Sequence, residues 1–388
     1  MHTLKLILKN SRRHLLRTIL TIAGVAIAVL SFGFMRTIVD AWYAGVEASA
    51  ANRMITRHAV SFIFTLPLSY RDQIQKIPGV GAVTYANWFQ GVYGDPAVWE
   101  NFFPRLAVDP ETFLSLYPEF IISPEQYGSF LKERNACIIG RKIAEEHKFK
   151  IGDVIPIDGD IYPGKWEFVI RGIYRGRDKT VDETQMLFHW NYLDERLRED
   201  QPSRAGGIGW YILRVNDPRD MPRVAKAVDE LFANSRARTK TETEKEFQQS
   251  FVSMSSAIIT SLEVISIVII GIILLVLANT IVMSARERMR EYAVLKTLGF
   301  SGGHIVGLVG GESLLIAAVG AALGIAGTFP ICKVFAEAFP TFFPIFNVSP
   351  LTIVLSITVA LGAGLAAALI PTLRALRMNI ADGLRAIG

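Results

Sequence analysis

The sequence predicts an α-helical membrane protein with four transmembrane helices and a large, two-lobed α+β extracytoplasmic domain inserted between helices 1 and 2. Three observations carry that prediction. Thr18–Met35, Val264–Met283, Ser313–Cys332 and Leu351–Ile370 are each apolar over about the 20 residues that a helix needs to cross a bilayer. Between the first two, Trp42–Phe251 has ordinary globular composition, with frequent Asp, Glu, Arg and Pro. Finally, Met283–Phe300 (MSARERMREYAVLKTLGF) lies between two apolar runs and is too charged for hydrocarbon, so it must be a short basic loop.

Apolar residues make up 51% of the 388 and charged residues 20%, with a formal net charge of +5. Much of the basic excess flanks apolar runs, where topology and anionic lipid account for it, so no nucleic acid is implied. The first apolar run is too long for a signal-peptide core, lacks a small-residue cleavage site and leads into Phe32, Phe34, Met35 and Arg36; it reads as an uncleaved helix. Lys5, Lys9, Arg12, Arg13 and Arg17 precede it, Arg286, Arg288, Arg290 and Lys296 follow the second run, and Arg374, Arg377 and Arg385 follow the fourth. The loop between the third and fourth runs has only Lys333. Because short basic loops stay in the cytoplasm, both termini and Met283–Phe300 are expected inside and the large domain outside.

The resulting division is an amphipathic cytoplasmic segment 1–17, a first helix 18–40 and an outer domain 41–255 with a β-rich insert at about 109–200. A stalk and second helix at 243–285, the cytoplasmic loop 286–303, a third helix 304–333, an external loop 334–350, a fourth helix 351–371 and a cytoplasmic segment 372–388 follow. Cys137 and Cys332 fall in the outer domain and a membrane helix, which argues against an internal disulfide. The outer domain is long enough to bury a core of its own.

In that domain Ser61–Leu66 is expected as a strand, Ser69–Lys76 as a helix and Val80–Tyr93 as a strand with further extended chain after the Pro78-Gly79 turn. Gly209–Val215 is a strand, and Asp217-Pro218 opens a helix to about Phe232 with Val224, Val228 and Leu231 near helical spacing. Arg236–Thr241 is a further strand. Within the insert Ile138–His147 is expected as a helix, Ile151-Gly152-Asp153 as a turn, and Val154–Ile157 and Glu167–Tyr174 as strands. Thr243–Ile265 has no Pro or Gly and is expected to run unbroken into the second membrane helix as a stalk.

No catalytic constellation is present, and no cofactor or metal site is expected. The histidines at 2, 14, 58, 147, 189 and 304 show no ligand spacing, and no phosphate-cradling GxxxxGK[ST] occurs. Asp158 and Asp160 flank a solvated turn, Glu145, Glu146 and His147 end a helix, and Gly206-Gly207-Ile208-Gly209 precedes a strand where a dinucleotide loop would open a helix. Glu263 is expected at the outer interface, a low-cost position. Glu312 falls near the inner end of the third helix, where structural pairing with a loop Arg or Lys is expected over proton coupling. Asn279 is expected at an interhelical contact. Gly307, Gly311, Gly320, Gly324 and Gly327, and Gly362 and Gly364 with Ala366–Ala368, form small-residue faces for packing within one chain or at a dimer seam.

On a helix, Met289, Tyr292, Leu295 and Leu298 recur every three residues as an apolar ridge, while Arg286, Glu287, Arg290, Glu291 and Lys296 populate the other surfaces. Gly299 is placed to end the helix. Lipid alone explains the basic residues, but not the interleaved Glu287 and Glu291 or the ordered ridge; a protein partner explains both.

This loop resembles the RERxxEIxxLKxLG segment of the permease family that includes MacB, the lipoprotein-releasing LolC and LolE subunits, and FtsX. Here it comprises Arg286, Glu287, Arg288, Glu291, Tyr292 (where Ile is common), Leu295, Lys296 and Gly299. The stretches RRHLLRTILTIAGVAIAV, GESLLIAAVGAALGIAGT with Glu312, PTLRALRMNIADGLRAIG and the outer IIGRKIAEEHKFKIGDVIPI are similar to other parts of that family. The resemblance implies a non-catalytic permease subunit of a mechanotransmission ABC transporter in a bacterial inner membrane. Arg286, Glu287, Arg288, Met289, Glu291, Tyr292, Leu295, Lys296, Leu298 and Gly299 would form the coupling helix, with the carboxy-terminal segment as a second contact. It implies a separate dimeric ATPase that binds ATP and Mg, since the ATPase domain fused in MacB is absent. It also implies a second permease copy or paralogue, a periplasmic membrane-fusion protein and an outer-membrane channel. The expected function is export or extraction of a substrate across the envelope; the alternative is an FtsX-like scaffold that activates a cell-wall hydrolase without moving solute.

Overall fold

The computed structural model describes residues 15–377 except 48, 99, 100, 179, 340–342 and 344. The expectations for residues 1–14, including Lys5, Lys9, Arg12 and Arg13, and for the end of the chain beyond Arg377, including Arg385, lie outside the described residues. The chain forms two compact units: residues 1–41, 255–335 and 346–388 in one, and 42–254 with 336–345 in the other.

Among the described residues, the first unit holds four helices long and apolar enough to cross a membrane. They are α1 (Leu15–Glu47), Ser256–Glu287, Gly302–Ala338 and Pro350–Arg377. At 1.5 Å per residue each is longer than the roughly 30 Å hydrocarbon core, so their charged ends can reach water. Small residues set the packing. A Cβ on Gly324 would come within 2.6 Å of the Ala26 carbonyl, and one on Gly320 within 2.6 Å of Val25. The Ser313 hydroxyl donates to the Gly364 carbonyl at 2.6 Å. These glycines pack within one chain, whereas added Cβ atoms on Gly307 and Gly362 would meet nothing. Thr21 and Thr280 hydroxyls lie 3.0 Å apart, and Asp40 pairs with Arg36 and accepts from Ser349 and Thr352. Asn279 is exposed rather than set at an interhelical contact, and Glu263 is also exposed.

The second unit is a mixed α/β domain. In chain order it contains β1 (Arg53–His58), β2 (Leu66–Pro67), α2 (Tyr70–Gln75), β3 (Val80–Trp88), β4 (Gly91–Val92) and β5 (Arg105–Val108). Next come α3 (Phe113–Leu116), β6 (Phe120–Ile121), α4 (Pro124–Lys132), β7 (Ala136–Gly140), α5 (Arg141–His147), β8 (Val154–Gly159) and β9 (Gly164–Gly176). The remainder are β10 (Met186–His189), α6 (Trp190–Asp200), β11 (Gly207–Ile208), β12 (Trp210–Val215), α7 (Met221–Leu231), β13 (Thr239–Thr243) and α8 (Glu244–Met254). One sheet runs β13-β1-β12-β3-β5-β10-β7-β9-β8-β4, with β6 beside β9. Its first four strands come from residues 53–88 and 210–243, and β3–β5 pairing joins them to the rest. β5–β10 and β7–β9 are parallel; the other pairs are antiparallel.

Both sheet faces are apolar. One, through Met54, Tyr85, Phe188 and Tyr211, packs against Val224 of α7 in the larger core. The other packs Ile55, Ala86, Phe113, Ile138, Tyr174 and Phe247 into a second.

Three expected elements differ. The strand expected at Ser61–Leu66 instead precedes that stretch as β1, because Arg53–His58 finds neighbours on both sides in β12 and β13. Ser61–Phe64 is a turn with exposed Ile63 and Phe64. The helix expected from Ile138 begins at Arg141: Ala136–Gly140 is buried between β9 and β10, and Gly140 passes so close to the Glu183 carbonyl that a Cβ could not fit. The expected unbroken stalk is interrupted. Thr243 ends β13, and the helix from Glu244 breaks at Ser255 (φ −94°, ψ 11°) before Ser256 opens the next. Ser253, Ser255 and Ser256 are poor interior helix formers, because their hydroxyls compete for backbone groups; Ser253 bonds back to the Gln249 carbonyl at 2.8 Å.

Candidate functional site

The second span, α9 (Ser256–Glu287), ends at Arg288, which leaves helical geometry at φ −105°, ψ 9°. A short helix, α10 (Met289–Thr297), follows before the third and fourth spans, α11 (Gly302–Ala338) and α12 (Pro350–Arg377). Its Met, Glu, Ala, Leu and Lys are strong helix formers. Glu291 in the first turn and Lys296 in the last complement the helix dipole. Gly299 closes it at φ +89°. The Phe300 amide donates to Leu295 at 3.0 Å and the Gly299 amide to Lys296 at 3.1 Å. This is the paired closure that a left-handed glycine permits.

Tyr292 and Ala293 are 1% and 0% exposed, and Met289 and Leu295 pack against the same core as Ile281, Ala285, Ile305 and Leu308. The apolar ridge is therefore not one face, and most of it is internal packing. Each three-residue step on a helix of 3.6 residues per turn falls about 60° short of a full turn, so Leu298 stands about half a turn from Met289. Leu298 is 70% exposed, and Val294 and Phe300 are exposed with it. Val294 and Phe300 were not singled out from the sequence; the signal was the i, i+4 spacing of Val294 and Leu298.

The charges fasten the helix. Arg288 Nη1 lies 2.7 Å from Glu312 Oε2 on α11, and the Ser284 hydroxyl donates to Glu312 Oε1 at 3.1 Å. Arg288 Nε pairs with Glu291 at 3.1 Å, and the guanidinium sits 5.6 Å from the Tyr292 ring centre. Burial pushes the Tyr292 phenol up to about 12, so it stays neutral. At the rim, Arg17 of α1 pairs with Glu287 at 2.9 Å, and Lys296 Nζ donates to the Leu376 carbonyl of α12 at 2.9 Å. Arg286 is exposed. The second, third and fourth spans thus hold this short helix, and Arg17 ties the first span to the end of the second. Among the described residues no group of three or more His, Cys, Asp or Glu is placed to hold a metal.

Among the described residues, four helices long and apolar enough to cross a membrane, with a mixed α/β domain between the first two, define a membrane protein with a large extramembrane domain. Residues 18–231 match the MacB-like periplasmic core domain and residues 263–380 the FtsX-like permease C-terminal domain. The chain belongs to this MacB/FtsX-like ABC permease family. In fold it is similar to the periplasmic region of MacB from Actinobacillus actinomycetemcomitans, with 10% identity, a TM-score of 0.38, and 53% of this chain and 95% of that one covered. It is also similar to the extracellular domain of the noncanonic ABC-type transporter YknZ from Gram-positive bacteria, with 12% identity, a TM-score of 0.36, and 50% and 99% covered. No curated protein matches the chain.

Proposed function

We propose that this chain is the permease subunit of an ABC transporter in which α10 is the coupling helix, pushed by a separate dimeric ATPase that binds ATP and Mg. The observation that carries this reading is the division of α10 into an anchored and a presented side. Tyr292, Ala293 and the Arg288–Glu312 pair fix it to the spans, while Leu298, Val294, Phe300 and Arg286 face outward. Glu287, Glu291 and Lys296 tie the rim of that surface to neighbouring groups. Force on the presented side is passed to α9 and α11 because a close-packed contact transmits displacement. The mechanical output drives export or extraction of a substrate across the envelope. A second permease copy or paralogue completes the pair, and a periplasmic membrane-fusion protein and outer-membrane channel continue the path. Both termini and α10 lie in the cytoplasm, in keeping with the basic residues flanking these helix ends. A cysteine at exposed Ser301 should label in intact cells only after permeabilisation; labelling without it would reverse the orientation.

Co-purification with the co-expressed ATPase tests the coupling role. Leu298→Asp and Val294→Asp should each weaken the complex about 30-fold or more, the loss typical of an interface hot spot. Tyr292→Phe, which keeps the buried ring, should bind as the parent does. Normal binding and ATPase stimulation by both aspartate variants would sink the assignment.

A further inference from the structure

The outer domain carries a large apolar groove that the coupling mechanism does not use. It encloses about 860 Å³ on the second sheet face, over strands β1, β12, β3 and β5. Its floor is continuous because Ile55, Trp210, Ala86 and Leu106 project from neighbouring strands on one side, with Trp210 opposite Ala86 and Trp88 opposite Leu106 in register. With strands about 4.8 Å apart, that floor is roughly 14 Å across. Phe247 and Phe251 of α8 form one wall, their rings 5.1 Å apart. Phe113, Tyr117 and Phe120 form another, stacked at 4.6 and 5.6 Å. The turn after β1 reaches over the rim, with Phe62 5.3 Å from Phe251 and Ile63 78% exposed.

Two charged side chains line this space, and they differ. Glu244 is paired: it accepts from the Ala50 amide at 2.8 Å and from Arg53 Nε at 2.9 Å, a guanidinium it shares with Glu119 at 2.6 Å. Arg204 has no carboxylate within ion-pair distance among the described residues. Its Nη1 donates to the Ile161 carbonyl and the Gln201 side chain, and its guanidinium lies over the Tyr162 ring at 4.4 Å. An uncompensated cation beside an apolar cavity complements a ligand with an apolar body and an anionic end. The volume falls in the roughly 300–1,000 Å³ range of sites that enclose one small ligand, which suits a single chain.

We propose that this groove binds a single-chain anionic amphiphile of the fatty-acid class, with its acyl chain along the sheet floor and its carboxylate at Arg204. The proposal does not depend on how α10 is used.

Trp88 and Trp210 on the floor make a direct test possible. The full chain in zwitterionic nanodiscs would be titrated with dibromostearic acid, whose bromines quench nearby tryptophan. Saturable quenching is expected, with most of its amplitude lost in the Trp88→Phe/Trp210→Phe variant. Arg204→Gln should weaken binding of the acid about 10-fold, as expected for loss of a charge-assisted contact, and should leave binding of the brominated methyl ester unchanged. Ile63→Glu, at a position too exposed to affect folding, should weaken both. Quenching that rises linearly without saturation, or that persists in the double tryptophan variant, would mean the acid sits only in the bilayer and would overturn the site. Saturable binding indifferent to Arg204→Gln would overturn the anionic end.

Discussion

Removing either partner of the Arg288–Glu312 pair should loosen the membrane unit, and removing both should cost well less than the two single changes added together. Both side chains are only 10% exposed and meet at 2.7 Å. Deleting one member of a buried pair costs about 3–5 kcal/mol, because the other is left charged and unpaired. Arg288 keeps Glu291 at 3.1 Å and Glu312 keeps the Ser284 hydroxyl, which puts each single change at the low end, about 3 kcal/mol. That is a fall of roughly 6–12 °C in the midpoint of a unit of this size. Arg288→Met, Glu312→Met and the double variant would be compared by following thiol exposure of Cys332, which is 3% exposed, during heating. Cys137 is the other cysteine, so a Cys137→Ala background makes Cys332 the sole reporter. The double variant should show a coupling of at least about 2 kcal/mol. Single effects that add to within about 0.5 kcal/mol would refute the reasoning, since independent sites behave that way.

Gly324→Ala should cost about 1–3 kcal/mol in the same assay, because its Cβ meets the Ala26 backbone. Gly307→Ala, with open space around it, should be neutral or stabilise the helix by about 0.5–1 kcal/mol. In the outer domain, burial holds the His189 imidazole below its usual 6.5, and nearby Arg134 acts in the same direction; its Nε2 bonds the Phe130 carbonyl at 2.8 Å. The folded state therefore binds fewer protons than the unfolded state. The stability is fully present above about pH 6.5, is lost as pH falls through that value, and levels off below the folded pKa, with a slope of at most about 1.4 kcal/mol per pH unit. Following Cys137 exposure in a Cys332→Ala background should show this slope in the parent and a flatter one in His189→Gln.

Much of the fold was legible in the residues, and its errors share a cause. An apolar turn such as Ser61–Phe64 resembles a strand when only its own composition is weighed. Whether it becomes one depends on hydrogen-bonding neighbours, and β12 and β13 pair instead with Arg53–His58. Ile138 to His147 reads as one helix until the buried β7 and the tight Gly140 contact divide it. At the candidate site, the charged helix, its glycine stop and an inner partner for Glu312 follow from spacing and cost. The choice of Arg288 as that partner, among several nearby cations, required the fold.

By itself the sequence determined the four spans, the short helix between the second and third, and the globular segment between the first two. Hydropathy over about 20 residues and helix capping are local properties, and no distant contact is needed to read them. Tertiary contacts settled which side of α10 is buried, how eleven strands among the described residues order into one sheet, and that one sheet face leaves an apolar groove beside Arg204. Those features depend on helical phase and on residues far apart in the chain, and a charge or an apolar side chain acquires its meaning only from what folding sets beside it.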